Sequence, residues 1–358
     1  MLSTAMNLKP IETTIEEYDR NQLLAGVRNG TLELSTGEFR ESKREDYISL
    51  QFNVEYDQEA RAPRWESFLD EVFAGDKELI SYIQRAVGYS LTGDTGEQVM
   101  FMLYGKGANG KSVFLEIISC LMGDYAANTP FSTFEVTKRN EASNDLAALK
   151  GKRIVTAIET NEDRRLDEAR VKSVTGGDRI TCRFLFAEYF SYTPHFKIWM
   201  AVNHKPLIKG TDRGIWRRVI LVPFTKNFEG RADKELVSKL KAELPGILNW
   251  ALKGLKEWKQ NDLGTAKAIE AASDEYRQES DLVQQWLDEE TTLDATETTP
   301  CYDAYSYFVQ WCKHRGYPTW SNNSFGRAMT EKGFVRKSNG KTREYVGLKA
   351  EPYVYSTP

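Results

Sequence analysis

Apolar positions change period several times along this chain. Between residues 22 and 40 short alternating runs flank the turn signals Asn29-Gly30 and Gly37, which predicts small strands or a hairpin. Over "RWESFLDEVFAGDKELISYIQRAVGYSLTG" the spacing becomes helical. Trp65, Phe68, Leu69, Val72 and Phe73, then Leu79, Ile80, Ile83 and Val87, predict two helices broken at Gly75-Asp76. From residue 97 to about 225 apolar strands alternate with helical segments, the signature of an α/β layer structure. "KELVSKLKAELPGILNWALKGLKEWKQ" reads as strongly helical, and the acidic, Thr-rich "DEETTLDATETTP" as a connector or exposed turn region. Beyond it, "CYDAYSYFVQWCKHRGY", "SNNSFGRAMTEKGF" and "VRKSNGKTREYVGL" read as helix, helix and β-hairpin. Residues 1 to about 20 are polar and acidic and read as a loose arm.

At 358 residues the chain exceeds the usual single-domain length, so the pattern is divided at 1–95, 96–262 and 263–358. The first part holds small strands and a helical region, the second the α/β core, and the third the C-terminal helices and hairpin. The 48 basic and 52 acidic residues nearly cancel, so any nucleic-acid contact has to come from a local patch. Cys120, Cys182, Cys301 and Cys312 and the histidines 195, 204 and 314 show no metal-ligand spacing, which argues against zinc and for reduced thiols. The start of the chain lacks a signal-peptide pattern, and no run of 18 apolar residues occurs. A soluble, cytoplasmic protein with no membrane partner is expected.

The chemistry begins at "GKGANGKS". Gly105, Lys106, Gly107, Ala108, Asn109, Gly110, Lys111 and Ser112 match GxxxxGK[ST], with an apolar strand before and an amphipathic helix from Val113 after. Glycines let backbone N–H groups turn inward around a phosphate, which the helix N-terminus also favours. Lys111 would reach the β and γ phosphates of a nucleotide, and Ser112 would hold Mg²⁺. This loop alone does not separate kinases, GTPases and motors.

A motor needs a second strand that brings a carboxylate to the metal and water. The strand Ile154 to Ile158 ends in Glu159, with Glu162 and Asp163 just beyond; the plainer reading is a solvated acidic loop. "HFKIWMAVNHKP" ends another strand in Asn203, whose amide can orient the lytic water or simply cap a loop. Arg217 and Arg218 precede the strand "VILVPF", where one suits an arginine finger and the other a structural salt bridge. In "VKSVTGGDRITCRFLFAEYFSYTP" the cations Lys172, Arg179 and Arg183 interleave with Phe184, Phe186, Tyr189 and Phe190. Cations track a phosphate backbone and aromatics stack on unpaired bases. The basic residues carry that reading, and most of the aromatics are expected in the core.

The order of these pieces resembles superfamily three helicases, specifically the phage and plasmid primase-helicase branch that includes the poxvirus primase-helicase. The resemblance spans roughly residues 22 to 225. It implies an AAA+ type P-loop ATPase core, hexameric rings, ATP with Mg²⁺ bound between subunits, and ssDNA threaded past pore hairpins. By position it implies Lys111 and Ser112 as the Walker A pair, with Glu159 as the Walker B acid. It makes Asn203 the first sensor, Arg217 or Arg218 the trans-acting finger, and Gly176 to Pro194 the region of the pore hairpin. Many members of the wider superfamily carry two adjacent acids where this chain has Glu159-Thr160, so the second acid falls to Glu162 or Asp163 or to neither. The C-terminal part resembles a winged-helix domain, with Arg327, Arg336, Lys337, Lys341 and Arg343 making it locally basic for duplex contact; a protein-contact domain is its rival. Such helicases commonly follow a primase, which this length leaves no room for, so a primase or polymerase partner or a longer parent chain is expected.

These readings converge on an ATP-dependent replicative DNA helicase of a virus, phage or mobile element. Two rivals stand beside it: an ATP-switched origin-binding protein, and a non-motor P-loop enzyme such as a nucleoside kinase.

Overall fold

The computed structural model describes residue 14 and residues 17–136, 144–159, 165–208, 213–231, 233–338, 340 and 342–352. The chain divides into two compact units, Met1–Ile208 with Arg217–Ser273, and Lys209–Trp216 with Asp274–Pro358.

The first unit opens with β1 (Leu24–Val27), β2 (Gly30–Glu33) and β3 (Glu38–Arg40), an antiparallel three-stranded sheet turning at Arg28-Asn29. The helical spacing after it gives α1 (Pro63–Val72), which starts on proline, and α2 (Lys77–Ser90). Between them Ala74 and Gly75 adopt positive φ, and Asp76 caps α2 by accepting a hydrogen bond from the Leu79 N–H at 3.0 Å.

Next come β4 (Met100–Tyr104), α3 (Lys111–Met122), β5 (Ala126–Asn128), β6 (Ile154–Ile158) and α4 (Glu168–Gly176). A short antiparallel pair, β7 (Ile180–Cys182) and β8 (Phe190–Tyr192), leads into β9 (Lys197–Val202) and β10 (Val219–Pro223). Helices α5 (Leu236–Ala242) and α6 (Leu244–Asn261) follow. Five of these strands form a parallel sheet in the order β10-β4-β9-β6-β5. The central strands β4 and β9 are short, largely apolar runs buried on both faces, as a covered parallel sheet requires.

One hydrophobic core runs from Ala25 in β1 to Ile269, so the residues set apart as 1–95 share it with the α/β strands. Its centre is aromatic: Trp199 of β9 stacks on Phe101 of β4 at 4.2 Å, and Phe114 of α3 packs on Trp65 of α1 at 5.7 Å. These contacts fix α3, and with it the loop that starts it, against the sheet. Helices α2 and α6 cross where Gly88 meets Gly254: a Cβ on Gly88 would fall 2.1 Å from the Leu255 nitrogen. That approach is open only to glycine.

The second unit contains α7 (Leu282–Glu290), β11 (Thr291–Pro300), α8 (Cys301–His314), α9 (Asn322–Glu331), β12 (Arg336–Ser338) and β13 (Arg343–Ala350). Its sheet has the order β11-β13-β12 and is antiparallel. The helix, helix and hairpin read from sequence are present. The stretch read as a connector is instead the end of α7 and strand β11. Its β-branched threonines suit a strand, and its register shifts between Leu293 and Thr298. Trp286, Phe308, Trp311, Phe325 and Tyr345 fill the core of this unit. Among the described residues no helix is long and apolar enough to cross a membrane.

Candidate nucleotide site and nucleic-acid interface

The sheet order decides which side chains meet. Strand β9 lies between β4 and β6, with Tyr104 paired to Val202 and Ile158 to Ala201. The C-terminal ends of these strands therefore lie level, and the residues that follow them, Gly105, Asn203 and Glu159, stand side by side. The Gly105 N–H donates to the Val202 carbonyl at 3.3 Å and that of Glu159 to the Ala201 carbonyl at 2.9 Å. Ligands of open α/β sheets bind at this edge.

The loop from Gly105 to Gly110 has the backbone that its glycines permit. Gly107 and Gly110 have φ of 65° and 91°, and a Cβ on Gly105 would lie 2.2 Å from Asn109 Nδ2 and 2.3 Å from the Phe224 carbonyl oxygen. Lys106, Gly107 and Ala108 are exposed, while Asn109 and Lys111 are buried. Val113 is half-buried in the first turn of α3, and Ser112 is exposed there.

The Lys111 ammonium donates to the Gly105 carbonyl, to Asn109 Oδ1 at 3.1 Å and to Asn203 Oδ1 at 3.1 Å. Burial pushes its pKa down to about 8, against the pull of the Glu159 charge. Glu159 is itself 4% exposed, and its Oε2 accepts the backbone N–H groups of Asn203 at 3.1 Å and His204 at 3.0 Å. The carboxylate is thus tied to the turn that carries the asparagine. Lys111, Glu159 and Asn203, far apart in sequence, form one hydrogen-bonded cluster. Ser112 and Glu159 carry a hydroxyl and a carboxylate, the hard oxygen donors that suit Mg²⁺. Glu162 and Asp163 lie outside the described residues.

Arg217 and Arg218 sit at the opposite edge of the sheet. They precede Val219, which pairs with Met100, and the Met100 N–H donates to the Arg218 carbonyl at 2.7 Å. At about 3.3 Å per residue the whole of β4 separates them from Gly105, farther than an arginine side chain extends. The two differ in setting. Arg218 is buried, with Nε donating to Thr175 Oγ1 at 3.1 Å and Nη2 to Gln98 Oε1 at 3.3 Å. Arg217 is exposed, and its Nη2 donates to the same Gln98 oxygen.

The segment from Gly176 to Pro194 folds as the hairpin β7–β8, anchored where Tyr192 donates to the Leu146 carbonyl at 2.6 Å. Its tip corrects the expectation that most of these aromatics are core. Phe184, Leu185, Phe186 and Tyr189 are exposed, because strands of three residues leave nothing to cover them. Phe186 is also held at φ 62°, a conformation that costs a bulky side chain roughly 1–3 kcal/mol. Arg183 lies over the Tyr189 ring at 4.6 Å, Arg179 is exposed just ahead of β7, and Lys172 is half-buried on α4. Lys150, which sequence distance hid, places its ammonium 5.5 Å from the Phe190 ring centre.

In the second unit Arg327 is exposed on α9, Lys337 on β12 and Arg343 on β13, while Lys341 lies outside the described residues. The guanidinium of Arg336 is committed within the fold, donating to the Gly326 carbonyl and lying 5.6 Å from the Tyr345 ring centre. It braces β12 against α9 and is the least available of these cations. Sequence reasoning also missed Gln98, Thr175 and Lys205, whose ammonium stands 5.0 Å from the ring centre of Tyr104, the residue before the glycine loop.

The chain is similar in sequence to two families and to several viral proteins. Residues 1–74 match the family described as D5 N terminal like, and residues 103–218 match a family of unknown function, DUF5906. A "putative helicase" of Acanthamoeba polyphaga mimivirus is 29% identical over 84% of this chain and 34% of its own length. A "putative primase" of African swine fever virus is 26% identical over 57% of this chain and 22% of its own. The chain thus spans about a third or less of the length of these curated relatives. The apo A-form structure of the NrS-1 C-terminal region shares the fold, with a TM-score of 0.53 at 10% identity over 85% of this chain and 79% of that one. Set beside the ordered series of loop, acid, asparagine and arginine pair, these matches support a D5-like primase-helicase family for this chain.

Proposed function

We propose that this chain is the ATP-hydrolysing motor of a viral or mobile-element DNA helicase, an AAA+ type ATPase with a winged-helix-like C-terminal unit, acting as a ring of like subunits on ssDNA. The observation that carries the reading is the convergence of Lys111, Glu159 and Asn203 at one sheet edge while the arginine pair stands at the other. The inserted position of β9 and the antiparallel sheet beside α9 support the fold reading.

In this mechanism the N–H groups of the glycine loop and the start of α3 bind the phosphates of ATP, and the Lys111 ammonium turns to the β and γ phosphates. Ser112 and Glu159 would hold Mg²⁺, which when bound neutralises charge on those phosphates. Glu159 also holds Asn203 in place, and the Asn203 amide orients the attacking water without adding charge. Because Arg217 cannot reach the loop of its own chain, it completes the site of a neighbouring subunit. Hydrolysis to ADP and phosphate then depends on assembly. The exposed aromatics of the β7–β8 tip offer faces for unpaired bases, with Arg179 and Arg183 near the backbone.

The test is the ATPase rate over a protein concentration series, with and without ssDNA, beside Phe186→Ala. The specific rate should climb with concentration and with ssDNA, and Phe186→Ala should weaken ssDNA binding by about 5- to 100-fold, the worth of one stacked base. A rate flat in concentration and indifferent to DNA would replace the motor with a monomeric P-loop enzyme.

A further inference from the structure

The inference drawn here rests on the motor reading and concerns how its two ends communicate. Arg217 and Arg218 share one acceptor, Gln98 Oε1. Gln98 itself has φ 56°, so the turn before β4 is bent to bring its side chain to both guanidinia. Arg218 also donates through Nε to Thr175 Oγ1 at 3.1 Å, and that hydroxyl spends its own proton on the Val171 carbonyl at 2.6 Å. A hydroxyl has one proton, so Thr175 is fixed as the acceptor toward Arg218. Thr175 lies in the last turn of α4, and a Cβ on the following Gly176 would stand 3.6 Å from Arg218 Nη2. After Gly177, which closes the helix at φ 79°, the chain runs straight into β7 and the exposed tip. From β8 it continues into β9, which Asn203 follows.

We propose that Gln98, Arg218 and Thr175 form a relay that links the finger Arg217 to the nucleic-acid hairpin. Arg218 is then a positioning residue and not a second finger. Movement of Arg217 toward a neighbour's phosphate pulls on the shared Gln98 oxygen, and Arg218 passes the shift to the end of α4, where the hairpin begins. Read backwards, nucleic acid on the hairpin tip biases the finger toward its engaged position. A finger held engaged in this way speeds hydrolysis, so ssDNA should stimulate the ATPase through these side chains.

The experiment compares ssDNA-stimulated with basal ATPase in wild type, Thr175→Val, Thr175→Ser and the pair Thr175→Val with Gln98→Met. Valine keeps the shape and removes the hydroxyl, and serine restores it. The relay predicts that Thr175→Val melts lower, because buried Arg218 Nε loses its acceptor, but keeps its basal rate while losing stimulation by about fivefold or more. Thr175→Ser should recover it, and adding Gln98→Met should cost nothing further, since both act on one path. Stimulation unchanged in Thr175→Val, or no recovery with serine, would overturn the relay and leave the motor standing. A wild type that ssDNA does not stimulate would overturn both.

Discussion

Lys111 and Lys197 are both buried lysines at the two ends of one sheet, and both are held by neutral oxygens. Lys111 donates to the Gly105 carbonyl, Asn109 and Asn203, and Lys197 to the carbonyls of Thr92 and, at 3.0 Å, Asp94. Burial pushes both below the ordinary lysine value. Lys111 falls to about 8, while Lys197 drops well below its usual range, with Arg153 adding repulsion. Their surroundings differ. Lys111 follows a glycine loop with exposed Ser112 and Asn203 beside it, whereas Lys197 lies 4.7 Å from the Tyr89 ring centre inside a closed core. Lys197, with Arg153 donating to the carbonyls of Leu91 at 2.8 Å and Leu24 at 2.6 Å, ties the end of α2 to the sheet. A buried cation signals catalysis only where other reactive groups open onto the same space.

Alanine at each position sharpens the contrast most. Lys111→Ala should cut hydrolysis by about 10³-fold or more while the protein stays folded. Lys197→Ala should leave the hydrolysis rate of folded protein unchanged and lower stability by about 2–4 kcal/mol, because it opens a cavity and leaves two carbonyls unpaired. Rates and thermal melts on both proteins check this, and loss of hydrolysis in well-folded Lys197→Ala would break the comparison. The arginines give the same contrast next. Arg217→Ala should cost about 10³-fold in hydrolysis with an unchanged melt, and Arg218→Ala should lower the melt by emptying a buried position and taking from Thr175 its donor and from Gln98 one of its two.

A smaller effect is expected with pH. The folded pKa of Lys111 lies below the unfolded value, so the unfolded chain binds more protons between about 8 and the ordinary lysine value, and stability rises with pH across that window. Nucleotide binding has the opposite slope: above about pH 8 the free site has lost the proton that a polyphosphate requires, so affinity should fall by up to about tenfold per pH unit. Titrating nucleotide affinity in wild type and Lys111→Met checks this, since the methionine protein should lose the pH slope.

Much of the candidate nucleotide edge was legible in the sequence because each part is local. The glycine loop carries its own backbone geometry, and Glu159 and Asn203 each follow an apolar strand whose end is visible in the hydropathy. What the sequence withheld depends on pairing between distant segments. Gln98 meets Arg217 across 119 positions and Thr175 meets Arg218 across 43, contacts set by the register of β4 with β10 and the seat of α4. Strand β11 was missed because its acids and threonines look like loop until β13 pairs with them. The exposed hairpin aromatics were missed because aromatic runs ordinarily fill cores, and only the shortness of β7 and β8 prevents it.

The central claim, that the site is completed by a neighbour's Arg217, is tested most directly by mixing two inactive variants, Arg217→Ala and Lys111→Ala, at fixed total concentration and following ATPase rate. The account predicts that activity returns on mixing, since the intact Lys111 site of an Arg217→Ala chain then meets the Arg217 of a Lys111→Ala neighbour. A mixture as inactive as either variant alone would contradict it, because the lysine and the arginine would then have to come from one chain.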